Sequence, residues 1–213
     1  MSELPLTRNK TTPEQEAAIR EAVRTVDRVP GPPSVAQLAQ PSDARALHEF
    51  LSDPDIHGPI YTLPRPLTPT TVQGFIERKL EERARGEGLL FVRFNDHQEV
   101  IGYSDFEIWP EWGVGDLGGA LRKDQQGQGA GLRGLASSFT WMFEALKLNM
   151  IFATGALDNV RTAHMMESVG MVHRGEVTSL RPDGTTRQSN VWEVTRAAWF
   201  DRHGDRGDPA ATP

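Results

Sequence analysis

A glycine-rich turn at the mouth of a strong helix limits the folds open to this chain. Residues 126–131 read Gln-Gly-Gln-Gly-Ala-Gly. From Gly131 onward, Leu132, Leu135, Ala136, Phe139, Met142, Phe143 and Leu146 recur at helical spacing, so one face of that helix must be covered. Upstream, residues 89–94, 100–109 and 114–121 read as strands, the last thinned by glycines. Downstream, residues 150–154 form a short apolar run suited to a buried strand. Strands on both sides of an amphipathic helix predict an α/β domain.

The same punctuation organises the rest. Thr12-Pro13-Glu14-Gln15 starts a helix with a hydroxyl cap and a proline at the first position, and Pro30-Gly31-Pro32-Pro33 breaks the chain. That helix is polar and runs to about Arg28, so residues 1–33 read as an N-terminal extension, a docking arm or partner-facing helix. The domain proper is expected over 34–200. A short strand at 35–38 precedes a helix opened by Pro41 and carrying Leu47, Phe50 and Leu51. Thr68-Pro69 opens another, with Val72, Phe75, Ile76 and Leu80 on one face. Between them, 57–67 is rich in glycine, proline and aromatic residues and reads as a loop over a pocket. Asp158 or Asn159 caps a later helix that Gly170 ends, and 171–180 with 188–195 form a hairpin across Arg181-Pro182-Asp183-Gly184. The polar tail, 201–213, is expected to be loose.

Composition removes several chemistries. Cysteine is absent, which excludes disulfides, thiolate metal sites and a cysteine nucleophile. None of the six histidines forms an H-E-x-x-H pair, so no metal site is expected. A net charge of −6 without a long basic run argues against nucleic acid and suits a cationic amine. No apolar run approaches the ~18 residues of a membrane span, and the polar N-terminus lacks a secretory core, so a cytoplasmic protein is expected.

The glycine turn admits several readings. Glycines before a helix N-terminus let backbone N–H groups converge on a diphosphate. Gly129-x-Gly131-x-x-Gly134 fits a dinucleotide fingerprint, but polar residues 122–126 separate it from the strand, and 150–154 lacks the acidic residue that would hold a ribose. No Gly-Lys-Ser/Thr follows, which argues against a P-loop. Alternatively, the glycines only turn the chain.

Gln126, Gly129 and Gly131 match the Q/R-x-x-G-x-G/A pattern, and 116–121 precede it as a strand. Asn159-x-x-Thr162-x-x-x-x-Glu167-x-x-Gly170-Met171 follows at fitting distance. Together these blocks resemble the GNAT acetyltransferase superfamily, most closely its RimJ/RimL-type branch, over residues 34–200. The resemblance implies a mixed, mostly antiparallel sheet with helices on both faces, and transfer of acetyl from acetyl-CoA to a primary amine, either a protein N-terminus or a small molecule. It assigns the diphosphate to Gln126, Gly127, Gln128, Gly129, Ala130 and Gly131. It assigns the pantetheine arm to the edge of 114–121, where two parallel strands splay. Gly119 or Leu121 would offer an N–H to the thioester oxygen, and Asn159 would contact the arm or simply cap its helix. Asp116 is the first candidate for the base, with Glu107 and Asp105 as alternatives. Many members place a tyrosine acid where this chain has Met166, which leaves Thr162 or water. His164 is expected at the surface. Trp109, Trp112 and Tyr61 are candidates for an acceptor pocket. The rivals are a longer acyl donor and a non-catalytic coenzyme-binding module. A homodimer is the default assembly.

Overall fold

Eight strands, β1 (Arg28–Val29), β2 (Ala36–Leu38), β3 (Gly88–Phe94), β4 (Val100–Trp109), β5 (Val114–Leu121), β6 (Met150–Ala156), β7 (Val172–Leu180) and β8 (Thr186–Thr195), form one sheet in the order β1-β2-β3-β4-β5-β6-β8-β7. The structure is a computed structural model that describes residues 4–29, 31, 34–126, 130–181 and 183–204. Every neighbouring pair is antiparallel except β5/β6. Parallel neighbours need a long crossover, and α5 (Ala130–Ala145) supplies it. The other helices are α1 (Pro13–Thr25), α2 (Ala44–Leu51), α3 (Pro54–His57), α4 (Pro69–Arg85), α6 (Val160–Ser168) and α7 (Arg196–His203). None is long and apolar enough to cross a membrane.

Strand alternation gives the sheet two buried faces. On one, Leu89, Phe91, Phe106, Ile108, Ile151 and Trp192 meet α1, α5, α6 and α7 through Ile19, Phe139, Phe143, Met166 and Trp199. On the other, Leu90, Val92 and Tyr103 meet α2 and α4 through Leu47, Phe50, Val72, Phe75 and Ile76. A third cluster, Val114, Met150, Phe152, Val177 and Val191, continues that second face. The caps form as their sequences predict. Thr12 accepts from the Gln15 N–H at 3.2 Å, and Thr68 and Thr71 cap each other at the start of α4.

At four places the structure adds to or differs from the sequence reading. Within the N-terminal extension, Ile19, Val23 and Val29 are fully buried in the main core, and β1 pairs with β2. The helix also stops at Thr25, because the chain turns extended at Val26 to enter that strand. The loop 57–67 is preceded by the short helix α3. Past 200 the chain stays helical to His203, because the Thr195 hydroxyl caps α7 and Trp199 anchors it at 1% exposure. The remainder of the expected tail, 205–213, lies outside the described residues.

Candidate active site

The parallel pair opens into a wedge. β5 and β6 are registered only over Val114–Met150, Gly115–Ile151 and Asp116–Phe152. Beyond that point β5 stays on β4 as far as Leu121, and β6 stays on β8 as far as Ala156. The facing edges of 117–121 and 153–156 therefore diverge, and backbone groups on those edges lose their ladder partners. Gly119 lies on this edge with φ +149°, and a Cβ there would lie 2.4 Å from the Tyr103 carbonyl oxygen. Gly119→Ala is therefore expected to cost about 2 kcal/mol or more of stability by denaturant unfolding. An unchanged midpoint would mean that the strand can relax around a side chain there.

Asp116 stands at the apex. Its register partners are Glu107 on β4 and Phe152 on β6, so its side chain shares a face with Glu107. Its carboxylate accepts the Leu117 N–H at 2.8 Å. Burial, helped by the Glu107 charge, pushes the Asp116 carboxyl up to about 8. Burial first, then the Asp105 and Glu82 charges against the pull of Lys79, also raise Glu107, although water screens part of this because its side chain is 48% exposed.

Behind them sits a cation that the sequence reading missed. Lys79 of α4 is 3% exposed, 2.8 Å from Asp105, 2.9 Å from Glu82 and 3.9 Å from Glu107. Burial alone would lower its pKa, but those carboxylates outweigh it and hold the ammonium charged. The sequence signal was available: Lys79 follows Val72, Phe75 and Ile76 at helical spacing, and it takes the fully covered place that Leu80 was expected to fill.

The wedge is reached from the other face by α6. Asn159 caps this helix, its side-chain oxygen accepting the Thr162 N–H at 3.0 Å. The Thr162 methyl packs over Gly155 of β6, on the face that carries Ile151 and Ala153. Asp116 and Thr162 thus address the wedge from opposite sides. Met166 is a core residue at 6% exposure, and His164 is exposed. The Gln126 amide donates to the Leu121 carbonyl at 2.7 Å, tying the turn back to the end of β5. Gly127, Gln128 and Gly129 lie outside the described residues, as does the Ala130 side chain. Gly131 is in the first turn of α5, and a Cβ there would meet open space, so packing does not require a glycine.

Residues 36–172 match the sequence model of the GNAT acetyltransferase domain. The chain belongs to the GNAT acetyltransferase family. GNAT acetyltransferases use acetyl-CoA. The same fold appears in ribosomal-protein-S5-alanine acetyltransferase from Vibrio fischeri, at TM-score 0.64 and 21% identity, covering 78% of this chain and 94% of that one. It appears in RimL, a ribosomal L7/L12 α-N-protein acetyltransferase in complex with coenzyme A, at TM-score 0.68 and 17% identity, over 81% of this chain and 99% of that one. Mycobacterium smegmatis RimJ, in complex with a CoA disulfide, aligns at TM-score 0.63 and 20% identity, over 80% of this chain and 88% of that one. No curated protein matches the chain.

The aromatic residues expected at an acceptor pocket of this GNAT domain divide. Trp109 packs on Phe152 at 5.2 Å and, with Glu82, Glu87, Glu107 and Glu111, lines an open cleft of about 360 Å³. Trp112 is covered by Arg8. Tyr61 is buried at 8% exposure, on the face of α2 and α4, beneath two arginines of the β7–β8 hairpin.

Proposed function

We propose that this protein transfers the acetyl group of acetyl-CoA to a primary amine, with Asp116 as general base. The observation that carries the reading is the apex of the wedge, where a carboxylate with a raised pKa meets two diverging parallel strands. An ammonium entering on the Asp116 face loses its proton to that carboxylate and attacks the thioester carbonyl held between the strands. Asp116 suits the task because its pKa lies near that of an amine. Glu107 keeps Asp116 proton-seeking by its charge.

The residues present fit acetyl-CoA. Unpaired edge groups of β5 and β6 would pair with the pantetheine arm, and the N–H of Gly119 or Leu121 would face the developing oxyanion. The Asn159 amide nitrogen, unpartnered among the described residues, would reach the arm from the opposite side. Gln126, Gly127, Gln128, Gly129, Ala130 and Gly131, leading into the positive end of α5, would hold the diphosphate. Open space over Gly131 supports that reading. With Met166 in the core, the leaving thiolate takes its proton from Thr162 or water. The acceptor is a peptide or protein N-terminus, as the names of the structural neighbours say of those enzymes, or a small-molecule amine, and a cytoplasmic setting belongs to the same reading.

Thermal unfolding tests it. Acetyl-CoA at about 100 times its Kd should add roughly 2.7 kcal/mol of stability, while NADH and ATP add none. Turnover then follows from released thiol, without background from a chain that has no cysteine. Stabilisation by NADH alone would replace this reading with the dinucleotide one.

A further inference from the structure

Two arginines stack on Tyr61 at the wide end of the wedge, on the face of Asp116, and a third, Arg65, lies on the Tyr61 loop, its charge felt with that of Arg181 at Asp183. Alternation along β8 puts Glu193, Val191, Ser189 and Arg187 on one face, and Glu193 is the register partner of Phe152, which stands beside Asp116. Ser189 pairs with Ala156, the last residue of β6, so Arg187 lies just past the mouth. Its Nε donates to the Ser189 hydroxyl at 3.2 Å and one terminal nitrogen donates to the Pro59 carbonyl at 3.3 Å. Arg181, at the end of β7, and Arg187 each place the guanidinium carbon 4.3 Å from the centre of the Tyr61 ring. The two cations are therefore no farther apart than the sum of those distances. Arg65, on the same loop as Tyr61, donates to the His57 carbonyl at 3.0 Å.

This cluster has an open valence. Among the described residues, none of the three arginines makes an ion pair with a carboxylate. The buried Nε of Arg181 has no hydrogen-bond partner among the described residues. Asp183 feels the charges of Arg181 and Arg65, and Asp158 feels that of Arg187, but neither carboxylate bridges to them. Burial and the neighbouring Arg181 charge lower the Arg187 pKa, the mark of a cation short of anionic partners. Guanidinium groups held by a ring and by backbone carbonyls, with donors to spare, suit a planar anion such as a carboxylate.

We propose that Arg65, Arg181 and Arg187, at Tyr61 and its loop, form a carboxylate-binding subsite for the acceptor, which makes the acceptor an acidic peptide N-terminal segment. This rests on the acetyl-transfer reading, since Asp116 fixes where the amine lies. From Phe152 to Ala156, whose partner Ser189 holds the Arg187 Nε, the strand covers roughly 13 Å, a distance that about four extended residues span. The acidic side chain thus falls about four residues from the acetylated amine.

Hexapeptides with an N-terminal serine and either Glu or Gln at positions three to five test this with the full chain. Wild-type protein should show a KM about tenfold lower for the Glu peptide, the size of one charge-assisted contact. Arg181→Gln and Arg187→Gln should raise the Glu-peptide KM about tenfold more than the Gln-peptide KM, and Arg187→Lys should recover part of the difference. Calorimetric binding of both peptides to the CoA-loaded protein is measured alongside. Glu-peptide binding that depends on the arginines but gives no acetylated product keeps the subsite and overturns the acetyl-transfer reading. Equal KM for the two peptides, or no binding of either, overturns the subsite. A rise in the acetyl-CoA KM in place of the peptide KM also overturns it, because the arginines would then serve the coenzyme phosphates.

Discussion

Asp116→Asn is expected to lower kcat by about 10²- to 10⁴-fold, leave acetyl-CoA affinity within about twofold, and raise thermal stability above pH 8. The amide has the same shape and its oxygen still accepts the Leu117 N–H, but it takes no proton from an ammonium. The stability gain follows from linkage. The unfolded carboxyl titrates near 3.8 and the folded one about 8. Between those values the folded protein binds more protons than the unfolded chain, so wild-type stability falls as pH rises through that window. Asparagine removes this loss. Its advantage grows from about pH 4 to about pH 8, then stays constant, at on the order of 3 kcal/mol once partial solvent access is discounted. The wild-type kcat/KM should climb with pH and level off above about 8, at the same place for acceptors whose own amines titrate differently. Wild-type turnover in the variant would move the base elsewhere. Matching melting temperatures at pH 9 would mean that the ionised carboxylate is not buried.

What was legible in the sequence divides along physical lines. The caps at Thr12, Thr68 and Asn159 and the periodicity of α5 are local, and they predicted the element order. Asp116 and Glu107 were legible as one-face neighbours on adjacent strands, because strand alternation is also local. Lys79 was passed over because a lysine at the edge of an apolar stripe usually reaches water, and only the three carboxylates brought by α4 and β4 make its burial tolerable. The arginines over Tyr61 were invisible because residues 61, 181 and 187 meet only through sheet topology. A polar helix with two apolar residues per turn pair, as in α1, gives too weak a pattern to reveal that it is core.

Deleting residues 1–29 is expected to leave no folded protein, although the matched family domain begins only at residue 36. Ile19, Val23 and Val29 are each at 0% exposure, packed in the cluster that holds Phe139, Met142 and Phe143 of α5. Truncating one buried Ile to Ala costs about 2–5 kcal/mol, and losing Ile19 and Val23 with α1 and Val29 with β1 matches or exceeds a typical total stability of about 5–15 kcal/mol. The milder Ile19→Ala keeps the test readable, with an expected loss of about 3 kcal/mol in denaturant unfolding. The loss should also reach the site. Arg20 donates to the Arg85 carbonyl at 2.8 Å and pairs with Glu87 at 3.0 Å, clamping the end of α4 to the start of β3. A Cβ at Gly86 would lie 2.7 Å from the Arg20 Cα, so helix and turn touch backbone to backbone. α4 carries Lys79 and Glu82, the charges set behind Asp105 and Glu107. If α1 were only an arm for a partner, the truncated chain would melt at the wild-type temperature and keep its pH profile. If it is structural, Ile19→Ala should lose stability first and show a displaced ascending limb in kcat/KM.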